Sequence, residues 1–284
     1  MVNKMTHNRF IYIRDAIGVL TDQFKREAQD VHTDSWQGVR IGHRPEAAMK
    51  ELLNVTIAFE VGDRTPAILA QATGCNMPWA EDHFQERVCG EPINPGIQWA
   101  HWPWGNNAEK FLDENGKFNH NYAERYWPKY AGSFDKPLNT AHEYRSALED
   151  SGVLMDEPHR GIYHKYGDLN DVIDLIGRDP LTRQAYLPVF FPEDTGSVHG
   201  SRVPCTLGYH FIVRNDELHC VYYLRSCDFV RHFRDDVYLS VRLQQWVLEQ
   251  LRERYGERWA SVRPGSFTMH ITSLHCFIND FRSL

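Results

Sequence analysis

Between residues 10 and 29 apolar side chains recur at helical spacing. Ile13, Ala16, Ile17, Leu20 and Phe24 share one face and charges occupy the other, which predicts an amphipathic helix. Residues 30–46 are polar, hold Gly38, Gly42 and Pro45, and read as a loop carrying Arg40 and Arg44. Leu52–Val61 (LLNVTIAFEV) mostly alternates, as a strand does. Residues 62–107 are rich in Gly, Pro and Trp, and only Trp79–Val88 reads as a helix there, with Pro78 before it and Gly90 beyond. Glu81 falls in its first turn, where a carboxylate suits the helix dipole whatever its task.

Further on, a turn at Asn115-Gly116 leads into an aromatic stretch ending at Trp127, and Leu138–Ser151 has helical character. Residues 168–177 (DLNDVIDLIG) form a short helix pattern, with Asp168 as N-cap and Gly177 as C-cap. From Gln184 the pattern turns β-rich. AYLPVFF, CTLGYHFIVR and LHCVYYLR read as strands, and Asn215-Asp216 joins the last two as a hairpin. Val237–Arg254 is the clearest helix, with Val237, Val241, Leu243, Trp246, Val247 and Leu251 on a broad apolar face, and Ser266–Phe277 is a final strand. Without repeat, low-complexity run or linker, the chain reads as one domain, 1–284, of α/β (α+β) class with a mostly β second half.

Composition narrows the classes. With 42% hydrophobic and 24% charged residues the chain is of ordinary globular type. A formal charge of −7 argues against a broad surface that tracks nucleic-acid phosphates, though a local basic pocket for one phosphate remains open. No apolar run has the length of a membrane span and the N-terminus lacks a signal-peptide core, so the expected location is the cytoplasm, without membrane attachment. The six cysteines (75, 89, 205, 220, 227, 276) make no CxxC pair, which points to reduced thiols rather than disulfides and to no metal site.

The chemistry concentrates in Arg202–Asp236. Cys205 follows a proline at the mouth of a strand, Arg225-Ser226-Cys227-Asp228 ends the next, and Arg234, Asp235 and Asp236 follow in a loop. Cys205 reads either as a structural thiol or as a nucleophile whose thiolate is favoured by nearby arginines. Arg225 can fork onto a phosphate with Ser226 adding a hydrogen bond, or pair with Asp228. Asp236, directly before Val237, is a ready N-cap or a group that reads a polar ring.

These motifs resemble the thymidylate synthase and pyrimidine-nucleotide hydroxymethylase superfamily. Pro204-Cys205 followed by HFIV resembles its nucleophile motif, Arg225-Ser226-Cys227-Asp228 its Arg-Ser-x-Asp, and Asp179-Pro180-Leu181-Thr182-Arg183-Gln184 its Asp-Pro-x-x-Arg-Arg. DENGKFNHNY resembles the segment leading to the family's active-site tyrosine, here Tyr122. GSFTMHITSLHCF resembles its late ribose-contacting strand, here His275 and Phe277. The Trp79 helix falls where the family keeps a catalytic glutamate, matched to Glu81 with Glu86 as the alternate.

The resemblance implies a large twisted mixed sheet flanked by helices, with a sheet face forming the interface of a homodimer. It implies that Cys205 adds to C6 of a pyrimidine nucleoside monophosphate and that C5 takes a one-carbon unit from 5,10-methylenetetrahydrofolate. Glu81 would order water and protons, Asp228 support the site, and Arg225, Ser226, Arg183 and Arg40 or Arg44 take the phosphate, with Arg183 crossing to the neighbouring subunit. Where the family's synthases carry an asparagine that reads uracil, this chain has Asp236, which suits cytosine: a carboxyl group accepts from N4 and, protonated, donates to N3. Ala108 stands where a shielding tryptophan is usual, and the family's long C-terminal extension after Phe277 is absent. The closest character is therefore that of a dCMP 5-hydroxymethylase. A thymidylate synthase, a dUMP hydroxymethylase and an inactive nucleotide-binding relative are the alternatives. Thr206, Leu224 and Gln184 depart from the family's usual histidine, glutamine and second arginine.

Overall fold

A computed structural model describes residues 6–10, 12–36, 39–104, 109, 112–114, 116–118, 120–129, 167–195 and 202–284. In chain order the described elements are strand β1 (Thr6–Phe10), helix α1 (Ile13–Glu27) and strands β2 (Gln29–His32), β3 (Ser35–Trp36), β4 (Val39–Arg40) and β5 (Ala48–Glu60). Helices α2 (Pro66–Thr73), α3 (Trp79–Arg87) and α4 (Tyr122–Tyr126) follow, then α5 (Leu169–Arg178), β6 (Tyr186–Pro188) and the single turn α6 (Pro192–Thr195). The last part is β7 (Thr206–Arg214), β8 (Glu217–Asp228), α7 (Phe233–Tyr255), β9 (Arg263–Phe277) and α8 (Ile278–Phe281).

Seven strands make one mixed sheet in the order β1-β5-β9-β8-β7-β6, with β2 also on β5. The alternating residues of β5, β7, β8 and β9 place one row of side chains, including Ile57, Phe59, Tyr209, Phe211, Tyr222, Phe267, Met269 and Ile271, in the core. Helices α1 and α7 cover that row, α1 with Ile13, Ala16, Leu20 and Phe24 as its helical stripe predicts. The other face carries Thr56, His210, Ile212, Val221, Tyr223, Thr268 and His270, all partly exposed. Tyr223 stacks on His270 there at 5.3 Å, and Thr56 bonds the same imidazole at 2.9 Å.

Topology decides where chemistry can gather. β8 and β9 are parallel, so their C-terminal ends lie side by side, Ser226 opposite Ser273 and Asp228 opposite His275. β5 runs antiparallel to β9 and brings its beginning to the same end, with Glu51 opposite His275. The β7–β8 hairpin turns at Asn215-Asp216, both at positive φ, as the two-residue loop requires. It returns Cys205 beside Arg225, whose backbone N–H donates to the Cys205 carbonyl at 2.9 Å. A bulge between Thr206 and Gly208 opens the hairpin at that point.

Two predicted boundaries move. α7 begins at Phe233 with His232 as N-cap, so Asp236 lies inside its first turn and does not cap it. α5 continues through Gly177 to Arg178, and the glycine serves close packing rather than capping, since a Cβ there would collide with the Tyr255 ring. Asp168 does cap α5, accepting from the Asp171 N–H at 2.9 Å. The predicted helix at Leu138–Ser151 lies outside the described residues. No helix among the described residues is long and apolar enough to cross a membrane.

Candidate active site

At the strand ends named above the sheet opens into a cavity of about 350 Å³. Its floor is Met49 and Glu51 from β5, Ser226, Cys227 and Asp228 from β8, and Ser273 and His275 from β9. One wall is the start of α7 (His232, Asp235, Asp236, Leu239). A second wall is α3, which packs on α7 through Glu81 and Arg242, with the tryptophan-rich loop behind it.

Cys205 enters from the bulged hairpin. Its Sγ accepts from Arg225 Nη2 at 3.9 Å and from Ser226 Oγ at 3.7 Å, the two groups an anionic sulfur needs beside it. Arg225 also donates from Nε to the Pro204 carbonyl at 2.8 Å and from Nη2 to the Val203 carbonyl at 3.0 Å. It therefore fixes the backbone that presents the thiol. Thr206, buried just past the cysteine, links the hydroxyls of Tyr122 (3.2 Å) and Tyr222 (2.8 Å). Burial, and then proximity to Cys205, push the Tyr122 hydroxyl up to about 12, so it works as a neutral donor.

Asp228 closes β8. Its Oδ1 accepts from the backbone N–H groups of Val230 and Arg231, both at 3.0 Å, and so holds the turn that leads into α7. Burial raises its carboxyl and lowers the facing His275. Asp236 looks into the cavity from the first turn of α7. Burial pushes its carboxyl up to about 7, opposed by the Arg87 charge and by the Cys227 S–H, which donates to Oδ2 at 3.4 Å.

The α3 wall repeats every four residues: Trp79, His83 and Arg87 face inward. Trp79 meets Trp102 and Trp104 edge-on at 5.5 Å, and Trp99 stacks on Trp102 at 4.7 Å. Arg202 lies over the Trp99 ring at 5.4 Å, and His232 touches Trp104 at 4.5 Å. One half of the cavity is thus aromatic and the other half polar.

Of the residues singled out in the sequence, Cys205, Tyr122, Arg225, Ser226, Asp228, Asp236 and His275 are brought to this cavity. Glu81 is not. Its carboxylate turns from the wall to Arg242, with bonds of 3.0 and 3.1 Å, and to the Tyr238 hydroxyl at 2.6 Å. Burial alone would raise it, but these bonds and one from Gln85 hold it below the usual carboxylate value. Glu86 does not reach the cavity wall either: it accepts from the Gln98 N–H at 3.1 Å, behind α3. For Glu81 the physical reason is rotation, since it lies about half a turn from the stripe of positions 79, 83 and 87; Glu86 borders that stripe, and its carboxylate is drawn away by the Gln98 backbone.

Arg40, Arg44 and Arg183 are exposed and away from the cavity. Its cations are instead Arg87, Arg202, Arg225 and Arg231. Arg231 reaches Asp280 at 2.8 Å and covers the Phe277 ring at 4.8 Å. Sequence reasoning missed Arg87, His83, Arg202 and His232. The i, i+4, i+8 spacing of Trp79, His83 and Arg87 was the available signal for the first two.

The thymidylate synthase family matches residues 96–283, more than half of the chain. The chain belongs to the thymidylate synthase family. A bifunctional dihydrofolate reductase-thymidylate synthase from Zea mays is 29% identical over 119 residues, 42% of this chain. The match spans about a fifth (21%) of that relative's length. Family membership places the mixed sheet and its flanking helices as a thymidylate synthase-like fold.

Proposed function

We propose that this protein transfers a one-carbon unit to C5 of a cytidine nucleotide, with Cys205 as the covalent nucleophile, and releases a 5-hydroxymethyl product. The observation that carries the reading is Asp236: a carboxyl group that lines the same cavity as the Cys205 thiol and that burial raises toward its protonated form. Held as a neutral acid with the Cys227 S–H on Oδ2, it offers an acceptor to N4–H and a proton to N3, which is the cytosine edge.

The cavity residues fit this task. Arg225 and Ser226 stand beside the Cys205 sulfur, where they stabilise its charge before it adds to C6. With Nε and Nη2 of Arg225 on backbone carbonyls and sulfur, Nη1 and the neighbouring Arg202 supply charge for a 5′-phosphate. Tyr122, neutral and bonded to Thr206, is placed to donate to a proton-accepting water at C5. The tryptophan wall suits the flat ring of a reduced folate, 5,10-methylenetetrahydrofolate, through stacking. Bound there, that co-substrate supplies carbon at the formaldehyde level. A homodimer through the partly exposed sheet face agrees with the cluster of Thr56, Ile212, Val221, Tyr223 and His270 at its centre. Arg183, exposed just before edge strand β6, would then serve the neighbouring site.

Tritium release from [5-³H]dCMP and [5-³H]dUMP, with and without methylenetetrahydrofolate, tests the assignment. Folate-dependent release from the cytosine nucleotide is expected; release from dUMP alone overturns it. Asp236→Asn should move the dCMP-to-dUMP ratio by about a hundredfold toward uracil. The thymidylate synthase reading is favoured by Trp102 and Trp104, which line the cavity and can keep water from a C5 methylene. Dihydrofolate formation, followed by absorbance, is its signature.

A further inference from the structure

We propose that Thr206 is a positioning residue: it accepts a hydrogen bond from the buried Tyr222 hydroxyl, donates one to Tyr122, and so aims the Tyr122 O–H into the cavity. The inference deepens the preceding function and rests on its use of Tyr122 as a donor.

Thr206 owes its place to the bulge at the start of β7. On a regular strand residues 206 and 209 lie on opposite faces. Here Thr206 pairs with Leu224 and Tyr209 pairs with Tyr222, and both partners on β8 are core residues. The extra residue therefore turns Thr206 onto the same buried face as Tyr209. Its hydroxyl lies 2.8 Å from that of Tyr222 and 3.2 Å from that of Tyr122. Both rings are held in place. Tyr222 stacks on Tyr209 at 4.5 Å and 4°. Tyr122 opens α4 beside the capping box of Asn121 and Glu124, and the Arg87 guanidinium covers its ring at 4.2 Å.

The direction of the chain follows from counting protons. A hydroxyl has one to give, and Thr206 Oγ1 gives its own to the Tyr122 oxygen. At the 2.8 Å contact it can then only accept, so Tyr222 is the donor there. Burial leads to the same answer. Tyr222 is 1% exposed, and among the described residues Thr206 is the hydrogen-bond partner of its hydroxyl, so a phenol that must donate has this one acceptor. Tyr122 ends the chain: its oxygen accepts from Thr206, its own proton has no protein acceptor among the described residues, and its side chain lines the cavity with Cys205. The three hydroxyls thus run one way, from core to cavity, and each bond polarises the next.

The test is a double-mutant cycle read by tritium release from whichever 5-³H nucleotide is turned over. Thr206→Val keeps the shape and removes the hydroxyl; it should lower kcat about tenfold with KM within about threefold, and Thr206→Ser should recover most of the rate. In a Tyr122→Phe background the same valine should change kcat by less than about twofold. Equal losses in both backgrounds overturn the proposal. If Thr206→Val does not fold, Tyr222→Phe takes its place, with a loss of about threefold that vanishes in Tyr122→Phe; a loss that persists there overturns it. A second arm needs no turnover. In ligand-free protein labelled with [ζ-¹³C]tyrosine, Tyr222→Phe should move the NMR resonance of Tyr122, assigned through Tyr122→Phe, although hydrogen bonds join the two phenols only through Thr206. An unmoved resonance overturns the proposal. That arm is indifferent to the base, so its failure is separable from failure of the cytosine assignment, which the dCMP-to-dUMP ratio reports.

Discussion

The floor and the α3 wall of the cavity are built on different rules. On the floor, Cys205, Arg225, Ser226, Asp228 and His275 come from three strands whose register fixes them: hairpin pairing puts Cys205 against Arg225, and parallel pairing puts Asp228 against His275. On the wall, one helix chooses its inward residues by rotation, and a shift of two positions exchanges Glu81 for His83. Strand-borne chemistry follows from motif order, whereas helix-borne chemistry depends on how the helix is turned by its packing.

The largest effect that can break this contrast is at the floor. Cys205→Ser is expected to lower tritium release from the 5-³H nucleotide by at least about 10³-fold, while equilibrium dialysis still shows nucleotide binding. Residual release near the wild-type rate would remove the strand-borne nucleophile and with it the comparison.

A smaller effect belongs to Asp236, which links floor and wall. In the unfolded chain its carboxyl titrates near ~3.9. In the folded protein it titrates at about 7. Between those values the folded state holds a proton that the unfolded state has lost, so the group removes stability as pH rises through that window. The removal is on the order of 4 kcal/mol across the whole window, about 1.4 kcal/mol per pH unit. Asp236→Asn has no such dependence, so its stability relative to wild type should improve from pH 5 to pH 8 in denaturant titrations. A pH-independent difference would mean the carboxyl ionises normally.

The smallest effect tests the wall. Glu81 faces Arg242 and Tyr238 rather than the cavity, and its side chain is 23% exposed. Glu81→Gln should leave kcat/KM within about twofold while costing about 1–3 kcal/mol of stability, because the buried Arg242 loses its charge partner. A loss of a hundredfold or more would restore the glutamate role suggested by motif position and show that α3 turns when substrate binds.

Much of the floor was legible because its signals are local. Pro204-Cys205, the hairpin at Asn215-Asp216 and the run Arg225-Ser226-Cys227-Asp228 each fix a strand end, and strand pairing then brings those ends together. The cations of the cavity were less legible: the resemblance points to Arg40, Arg44 and Arg183, and only packing shows that Arg87, Arg202 and Arg231 line it beside Arg225. The role of Asp236 as a cap was a local reading that the longer α7 overrides, since the helix starts at Phe233.

By itself, then, the sequence determined the class of fold, the hairpin that carries Cys205 and the carboxyl at position 236. Those features depend on residue order and on period-two alternation, which survive without knowledge of contacts. The tertiary structure alone decided that Glu81 leaves the site, that His83 and Arg87 enter it, and that burial brings Asp236 to the edge of protonation. Helix rotation and desolvation are properties of packed neighbours, and no single segment of the chain contains them.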